Sequence, residues 1–381
     1  MTATAIAKLA ERDLALILGD IAWIVNHETP SKNKPLLDTG LAAIESWIHS
    51  RLGDPSHRER HDGGEDGDVL ELRYPGTANG SVLLLGHYDT VWPEGTLEEW
   101  PVSTDGKRMS GPGVLDMKAG VVQGVWAVHA LRELGLPHPE IRILLNGDEE
   151  VGSHASRPHI EAASADVDAT LVLEPSRAGQ VKTGRAGMGF VDVSVHGVES
   201  HAGLDPTAGA SAVHALAEIV PQLTAMAAPE LGTTVNVGVL DGGTQRNVIA
   251  GHARCAVDVR VKVPEEMSRV DAALGTLTVS DPRVKVVVDT EWNRPPMTPN
   301  PPSAALFGQA REVAEELGFT LGETFVGGAS DANFVSALGR GVLCGLGAVG
   351  EGPHARTEYI VPKSVPTQIA LVAGLLNRLG E

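Results

Sequence analysis

Residues 83–91 read LLLGHYDTV. An aliphatic run from Val82 to Leu85 stops at Gly86, and His87 and Asp89 follow it closely. A buried strand here delivers an imidazole and a carboxylate at its end. One such pair proves little; the weight of the observation depends on how the other strands end.

From about residue 80 to 175, apolar runs alternate with helical patterns, which predicts βαβ units and a largely parallel sheet. SVLLLG, IRILLN and ATLVLE read as strands, and GVLCGLG is a further strand downstream. MKAGVVQGVWAVHALREL reads as a helix, with Val121, Val125, Val128, Leu131 and Leu134 near helical spacing and Gly135 and Pro137 as stop signals. TQIALVAGLLNRLG is a closing helix. Between these halves the pattern changes. GFVDVSVHG, TTVNVGVL, ARCAVDVRV and VKVVVDTEW read as strands, and AGASAVHALAEIVPQLTAM and EEMSRVDAALGTL as helices. That order is β-α-β-β-α-β, the split βαβ arrangement. The expected fold is α/β: a mixed sheet flanked by helices from residues 1–182 and 297–381, with an inserted ferredoxin-like α+β domain at 183–296. NRPPMTPNPPS is the expected return linker, and SHRERHDGGEDGD the expected polar, mobile loop.

The composition is that of a soluble globular chain: 381 residues, 42% hydrophobic and 21% charged. Its formal charge, 30 − 49 = −19, repels nucleic acid and anionic membranes. Cys255 and Cys344 form no C-x-x-C pair, which excludes a thiolate metal site and leaves reduced core thiols as the expectation. The first 26 residues carry charges among their apolar positions and predict an amphipathic helix, neither a signal peptide nor a membrane span. A cytoplasmic protein is expected.

The other strand ends repeat the first. IRILLNGDEEVGS supplies Asp148, Glu149 and Glu150; LVLEPS supplies Glu174; GVLCGLGAVGEGPHA leads by a short loop to His354; and Asp116 stands in GPGVLDMKAG just before the long helix. Ligands of open α/β sheets bind at the carboxyl ends of strands. Imidazole and carboxylate suit zinc, and the oxygen donors are too many for one ion. Two zinc ions sharing a bridging carboxylate would use them, about 3.5–4 Å apart. The doublet Glu149-Glu150 sharpens the case: one carboxylate can ligate while its neighbour takes the proton of the attacking water. Singly, each has a plainer reading: a loop histidine at His87 or His354, a helix N-cap at Asp116, an acidic turn at Glu149-Glu150, a solvated strand end at Glu174. All five together would be a coincidence.

At these residues the chain resembles the di-zinc aminoacylase and carboxypeptidase family, which includes glutamate carboxypeptidases, acetylornithine deacetylases and succinyl-diaminopimelate desuccinylases. The matching stretches, in family order, are GHYDTV, GPGVLDMKAG, GDEEVGS, LEPS, SHAG, GGASDA and the GPHA loop. The resemblance implies a zinc-peptidase-like main domain and an inserted lid and dimerisation domain. It implies two Zn2+ per subunit, with Co2+ or Mn2+ as possible substitutes. Asp116 would bridge them, His87 and Glu174 would complete one site, and Glu150 and His354 the other. Glu149 would be the general base, and Asp89 would orient the His87 ring. A cis peptide bond is implied between Asp116 and Met117. His201, in ESHAG, would hydrogen-bond the oxyanion, in its own or a partner subunit's site. Arg260, Asn247 and Arg294 would recognise substrate, and the backbone at Gly327 and Gly328 would approach it. His196 is left as structural.

The implied activity is hydrolysis of the amide bond of a C-terminal or N-acylated amino acid, glutamate carboxypeptidase-like first and N-acyl-amino-acid deacylase second. The implied partners are a small-molecule substrate and a second copy of the chain. Two other classes compete. A serine hydrolase built on Ser330 and Asp331 lacks a nucleophile elbow and a placed histidine. A non-catalytic metal binder has no need of the spare carboxylate Glu149.

Overall fold

The computed structural model describes residues 2–381. The chain divides into two compact units: one holds the described residues up to Gly184, Pro299–Phe325 and Ser330–Glu381, the other Arg185–Thr298 and Val326–Ala329.

The first unit is built on an eight-stranded mixed sheet. In chain order its strands are β1 (His57–His61), β2 (Gly67–Tyr74), β3 (Ser81–His87), β4 (Glu140–Gly147), β5 (Ala169–Val172), β6 (Val181–Arg185), β7 (Glu323–Val326) and β8 (Val342–Cys344). In space the order is β1-β2-β4-β3-β5-β8-β6-β7. The central four, β4, β3, β5 and β8, are mutually parallel, as the apolar runs predict. The flanks depart from the parallel reading, because β1, β2 and β6 pair antiparallel. Val82, Leu84, Ile141, Ile143 and Leu171 bury one face under the helices Thr2–Arg12, Leu14–Val25, Lys34–Leu52, Ala119–Glu133 and Val365–Arg378. Leu83, Leu85 and Leu144 alternate to the opposite face and are buried there too. No helix among the described residues is long and apolar enough to cross a membrane.

Three local readings are corrected. The N-terminal helix is two helices, with the chain turning at Asp13 between them. The expected mobile loop contains β1, whose HRERH pairs residue for residue with β2; it lacks an apolar face because it is the sheet's edge. The Pro-rich linker is shorter than its composition suggests. Pro301 opens the helix Pro301–Glu316, capped by Asn300, whose side chain accepts from the Ser303 amide at 2.8 Å.

The second unit carries a four-stranded antiparallel sheet with strands Gly187–His196, Thr234–Gly242, His252–Val261 and Lys285–Arg294, in the spatial order second-third-first-fourth. Helices Ala212–Thr224 and Pro264–Leu274 complete the ferredoxin-like pattern. Val191, Val193 and Val195 alternate inward beneath Leu216, Ile219 and Val270. Cys255 and Cys344 are both free and buried.

Register fixes where the first unit's functional groups arrive. Leu85 stands opposite both Leu144 and Val172. Two residues further on, His87, Asn146 and Glu174 therefore reach one level of one sheet edge. Two glycines close the packing there: a Cβ on Gly120 would lie 1.9 Å from the Leu173 carbonyl oxygen, and one on Gly347 2.1 Å from it. The helix that follows Asp116 thus seats directly on the strand end that carries Glu174. Gly120→Ala must push this helix away, at a cost of about 1–3 kcal/mol for overpacking. A lowered urea midpoint with an unchanged m-value would register it.

Candidate metal centre

His87 ends β3 almost wholly buried. Its Nδ1 lies 3.1 Å from the Asp89 carbonyl oxygen and 3.3 Å from the Asp89 carboxylate. Both neighbours accept, so a neutral ring carries its proton on Nδ1 and offers Nε2 as a lone pair. Nε2 faces Asp116 at 3.2 Å and Glu174 at 3.9 Å.

Asp116 turns one oxygen to each of two imidazoles: Oδ1 to His87, and Oδ2 to His354 Nε2 at 3.5 Å. His354 Nε2 also lies 3.1 Å from Glu150. The result is two groups of three donors, His87–Asp116–Glu174 and Asp116–Glu150–His354, which share Asp116; within each, the donor atoms lie within 4.8 Å of one another. The Asp116–Met117 bond is cis, and His354 sits at φ +60°, a region that non-glycine residues seldom adopt.

The donor set fits a pair of divalent cations. Three carboxylates and two imidazoles supply a formal charge of −3 with no soft ligand. The pKa pattern shows the demand for countercharge. Burial opposes charge on His87, yet hydrogen bonds to Asp116 and Asp89 hold its pKa well above the usual imidazole value. His354 is pushed up to about 11, first by Asp116 and then by Glu150. Burial works against the Asp116 carboxylate, but His354 and His87 outweigh it and hold its pKa well below the usual range. Burial pushes Glu150 up to about 7, against the pull of His354. A cation entering this cluster takes the place of imidazolium protons.

Asp89 assembles the site. It is fully buried. Beyond His87, it accepts from the Ser31 hydroxyl at 2.8 Å and from the backbone amides of Glu149 and Glu150, each at 3.2 Å. One carboxylate thus sets both the imidazole and the short 3-10 turn, Glu149–Val151, that carries the acidic doublet. The charge of Glu149 is felt at His87.

Asp148, grouped with the doublet from sequence, has a different task. It is buried and accepts from the amides of Ala155 and Ser156 at 2.9 and 3.1 Å. Asn146 donates at 3.1 Å to Ser156 and at 2.9 Å to Asp331, which also accepts from Ser153 at 2.5 Å. Ser330 is fully buried; its hydroxyl accepts from the Ala332 amide at 3.2 Å and lies 3.9 Å from the Cys344 sulfur. Neither Ser330 nor Asp331 is set up as a nucleophilic pair.

Two residues escaped the sequence reading. Glu358 is fully buried and accepts from the amides of Gly113, Leu115 and Asp116 at 3.2, 2.7 and 3.1 Å, and from the Trp92 indole at 3.1 Å. It fixes the backbone that presents Asp116, and burial raises its pKa. Lys182 Nζ lies 3.6 Å from Glu174 Oε2. Nothing in their neighbouring sequence marks either one.

The other sequence candidates belong to the second unit. His201 pairs with Val248 in a two-stranded ladder, which places it beside Asn247, whose carbonyl accepts from the Ala202 amide at 2.9 Å. His201 Nδ1 accepts from the amides of Gly203 and Leu204 at 3.1 and 3.0 Å. Its proton therefore belongs on Nε2, which makes the exposed side of the ring a donor. Arg260 forks onto Asp258 at 2.9 Å. Arg294 is buried and donates to the Asn293 side chain at 2.8 Å. A Cβ at Gly327 or Gly328 would meet nothing, so neither glycine is required by packing.

The family described as Peptidase family M20/M25/M40 matches residues 83–378. The chain is 30% identical over 379 residues to carboxypeptidase G2 of Pseudomonas sp. (strain RS-16), covering 96% of this chain and 89% of that protein. It is 29% identical over 266 residues to acetylornithine deacetylase of Myxococcus xanthus, covering 64% of this chain and 66% of that one. Among solved structures, aminopeptidase PepT of Bacillus cereus superposes with a TM-score of 0.80 at 21% identity, covering 97% of this chain and 99% of that one. An M20 family metallo-carboxypeptidase of Sulfolobus solfataricus superposes with a TM-score of 0.76 at 16% identity, covering 95% and 98%. These two likenesses concern the fold.

Asp89→Asn keeps the size of the side chain but removes the charge that orients His87. Loss of such an outer partner costs roughly 10–100-fold in metal affinity. Competition with a chromophoric chelator should find the variant weaker by that factor and still folded.

Proposed function

The chain belongs to peptidase family M20/M25/M40, and we propose that within this metal-dependent hydrolase family it is a glutamate carboxypeptidase-like exopeptidase holding two zinc ions. The observation that carries the reading is Asp116 with one oxygen toward each of two imidazoles, while Asp89 holds the Glu149-Glu150 turn alongside. The likeness to carboxypeptidase G2 along nearly the whole chain supports the substrate class. The likeness to acetylornithine deacetylase supports the second reading, removal of an acyl group from an amino acid.

His87 and Glu174 would hold one ion, Glu150 and His354 the other, and Asp116 both. Ions held there supply Lewis-acid polarisation of the scissile carbonyl and a more acidic water. Glu149 takes the proton of the attacking water as its oxygen bonds to the carbonyl carbon. His201, in its own or a partner subunit's site, would donate from Nε2 to the developing oxyanion. Glu149 then passes the proton to the departing nitrogen as the C–N bond breaks, leaving a free acid and a free amino acid. Arg260 would exchange its fork on Asp258 for the substrate's α-carboxylate, a bidentate match that lysine does not offer. Asn247 and Arg294 would be further recognition groups, and the backbone of Gly327 and Gly328 a wall.

The inserted unit is proposed as lid and dimer contact, and the chain as a homodimer. Thr234–Gly242 is an edge strand whose Val239 and Leu240 are 55% and 56% exposed. Such an edge is a template for pairing with another chain. Sedimentation should give a dimer, and Val239→Asp with Leu240→Asp should give monomers; a monomeric parent protein would contradict the proposal.

Glu149→Gln should retain both ions and lose turnover by about 10²–10⁴-fold, the range for a general base. Near-parental activity with full metal content removes Glu149 from the role. His201→Asn should lower kcat more than it raises KM, because its contact strengthens in the transition state. The substrate class is tested by offering the zinc-loaded protein peptidyl and folate-like glutamates, N-acetylornithine, N-succinyl-diaminopimelate and N-acyl aliphatic amino acids. Release chiefly of C-terminal glutamate supports the first reading; release chiefly of another amino acid moves the function to a deacylase.

A further inference from the structure

The stretch read as a mobile loop carries chemistry that the catalytic reading does not use. β1 and β2 pair so that Glu59 stands directly opposite Glu71. Directly opposed residues of an antiparallel pair project from the same face, and like charges there destabilise the sheet. His61, two residues beyond Glu59, projects from that face as well. Its Nδ1 lies 3.7 Å from Glu59 Oε1, and one donor atom from each of Glu59, His61 and Glu71 falls within a 4.8 Å cluster. His159, from the helix Arg157–Ala165, stacks on the His61 ring at 3.8 Å with 19° between the planes and walls the group.

Each of the two carboxylates also has one basic neighbour. Arg73 Nε takes Glu71 Oε1 at 2.7 Å, and His57 Nε2 lies 3.4 Å from Glu59 Oε2. Glu59 and Glu71 each still place one donor atom within 4.8 Å of a His61 ring nitrogen. Glu71 is only 6% exposed, so its charge is met by Arg73 rather than by solvent.

We propose that Glu59, His61 and Glu71 form a second cation site, for a borderline divalent ion such as zinc, on the outer edge of the sheet. One imidazole and two carboxylates with room for a water is an ordinary donor set for such an ion. The site stands apart from the catalytic cluster. Glu71 is in register with Leu144, and Leu144 with Leu85, two residues short of His87. From β1 to β3 the sheet runs three strand spacings, about 14 Å. A cation here cancels the Glu59–Glu71 repulsion and fastens an edge strand whose HRERH sequence gives it no apolar anchor. This inference does not rest on the hydrolase reading.

The test counts zinc. The full-length protein is dialysed at a buffered free-zinc concentration, and zinc per chain is measured for the parent, His61→Ala, and His61→Gln as the milder replacement. The expected result is one zinc fewer per chain in both variants, with circular dichroism and kcat unchanged and a smaller rise of Tm on adding zinc. His354→Ala, which alters the catalytic cluster instead, should retain the zinc that His61→Ala loses, so the two sites are read separately. Equal zinc content in the parent and His61→Gln overturns the proposal, whatever becomes of His61→Ala.

Discussion

Asp89 is a carboxylate with no contact to solvent, and the geometry of the metal centre depends on what it accepts. The His87 ring, the Ser31 hydroxyl and the amides of Glu149 and Glu150 all converge on its two oxygens. Those donors come from three separate chain segments, so the one charge joins the end of β3 to the turn after β4. A buried charge is tolerated only when donors replace its hydration. Folding must therefore assemble the imidazole and the acidic turn together, because Asp89 cannot be buried without them. Glu358 does the same for the segment that presents Asp116, through three amides and an indole.

The arrangement concentrates negative charge. Asp116, Glu150 and Glu174 crowd the two imidazoles, with Asp89 behind His87 and Glu358 behind Asp116. The two buried carboxylates at the back are solvated by fixed backbone amides, which cannot move away. The three in front are offset by imidazolium charge, which a cation can displace. That division separates the scaffold carboxylates from those proposed to ligate, and it also explains Asp148. Its position after β4 suggests a ligand, but the amides of Ala155 and Ser156 claim it.

Much of this could be read from the sequence because parallel strands deliver their ends to one edge. His87, Glu150, Glu174 and His354 follow strands, Asp116 precedes a helix, and the structure brings the five together. The ferredoxin-like insertion was legible from its alternating strands. Other features were not. Glu358 reaches back 242 residues to the Asp116 amide, and no local pattern records such a contact. β1 has no apolar residue, because an edge strand needs only backbone pairing on one side. The antiparallel flanks were hidden for a different reason: periodicity reports burial, not strand direction.

The proposed function requires that two ions share Asp116. Anomalous diffraction at the zinc edge, from crystals of the zinc-loaded protein, tests it most directly. Two peaks are expected about 3.5–4 Å apart, one within ligand distance of each Asp116 oxygen, with His87 and Glu174 on one side and Glu150 and His354 on the other. A single peak there, or two peaks that Asp116 does not join, would contradict it.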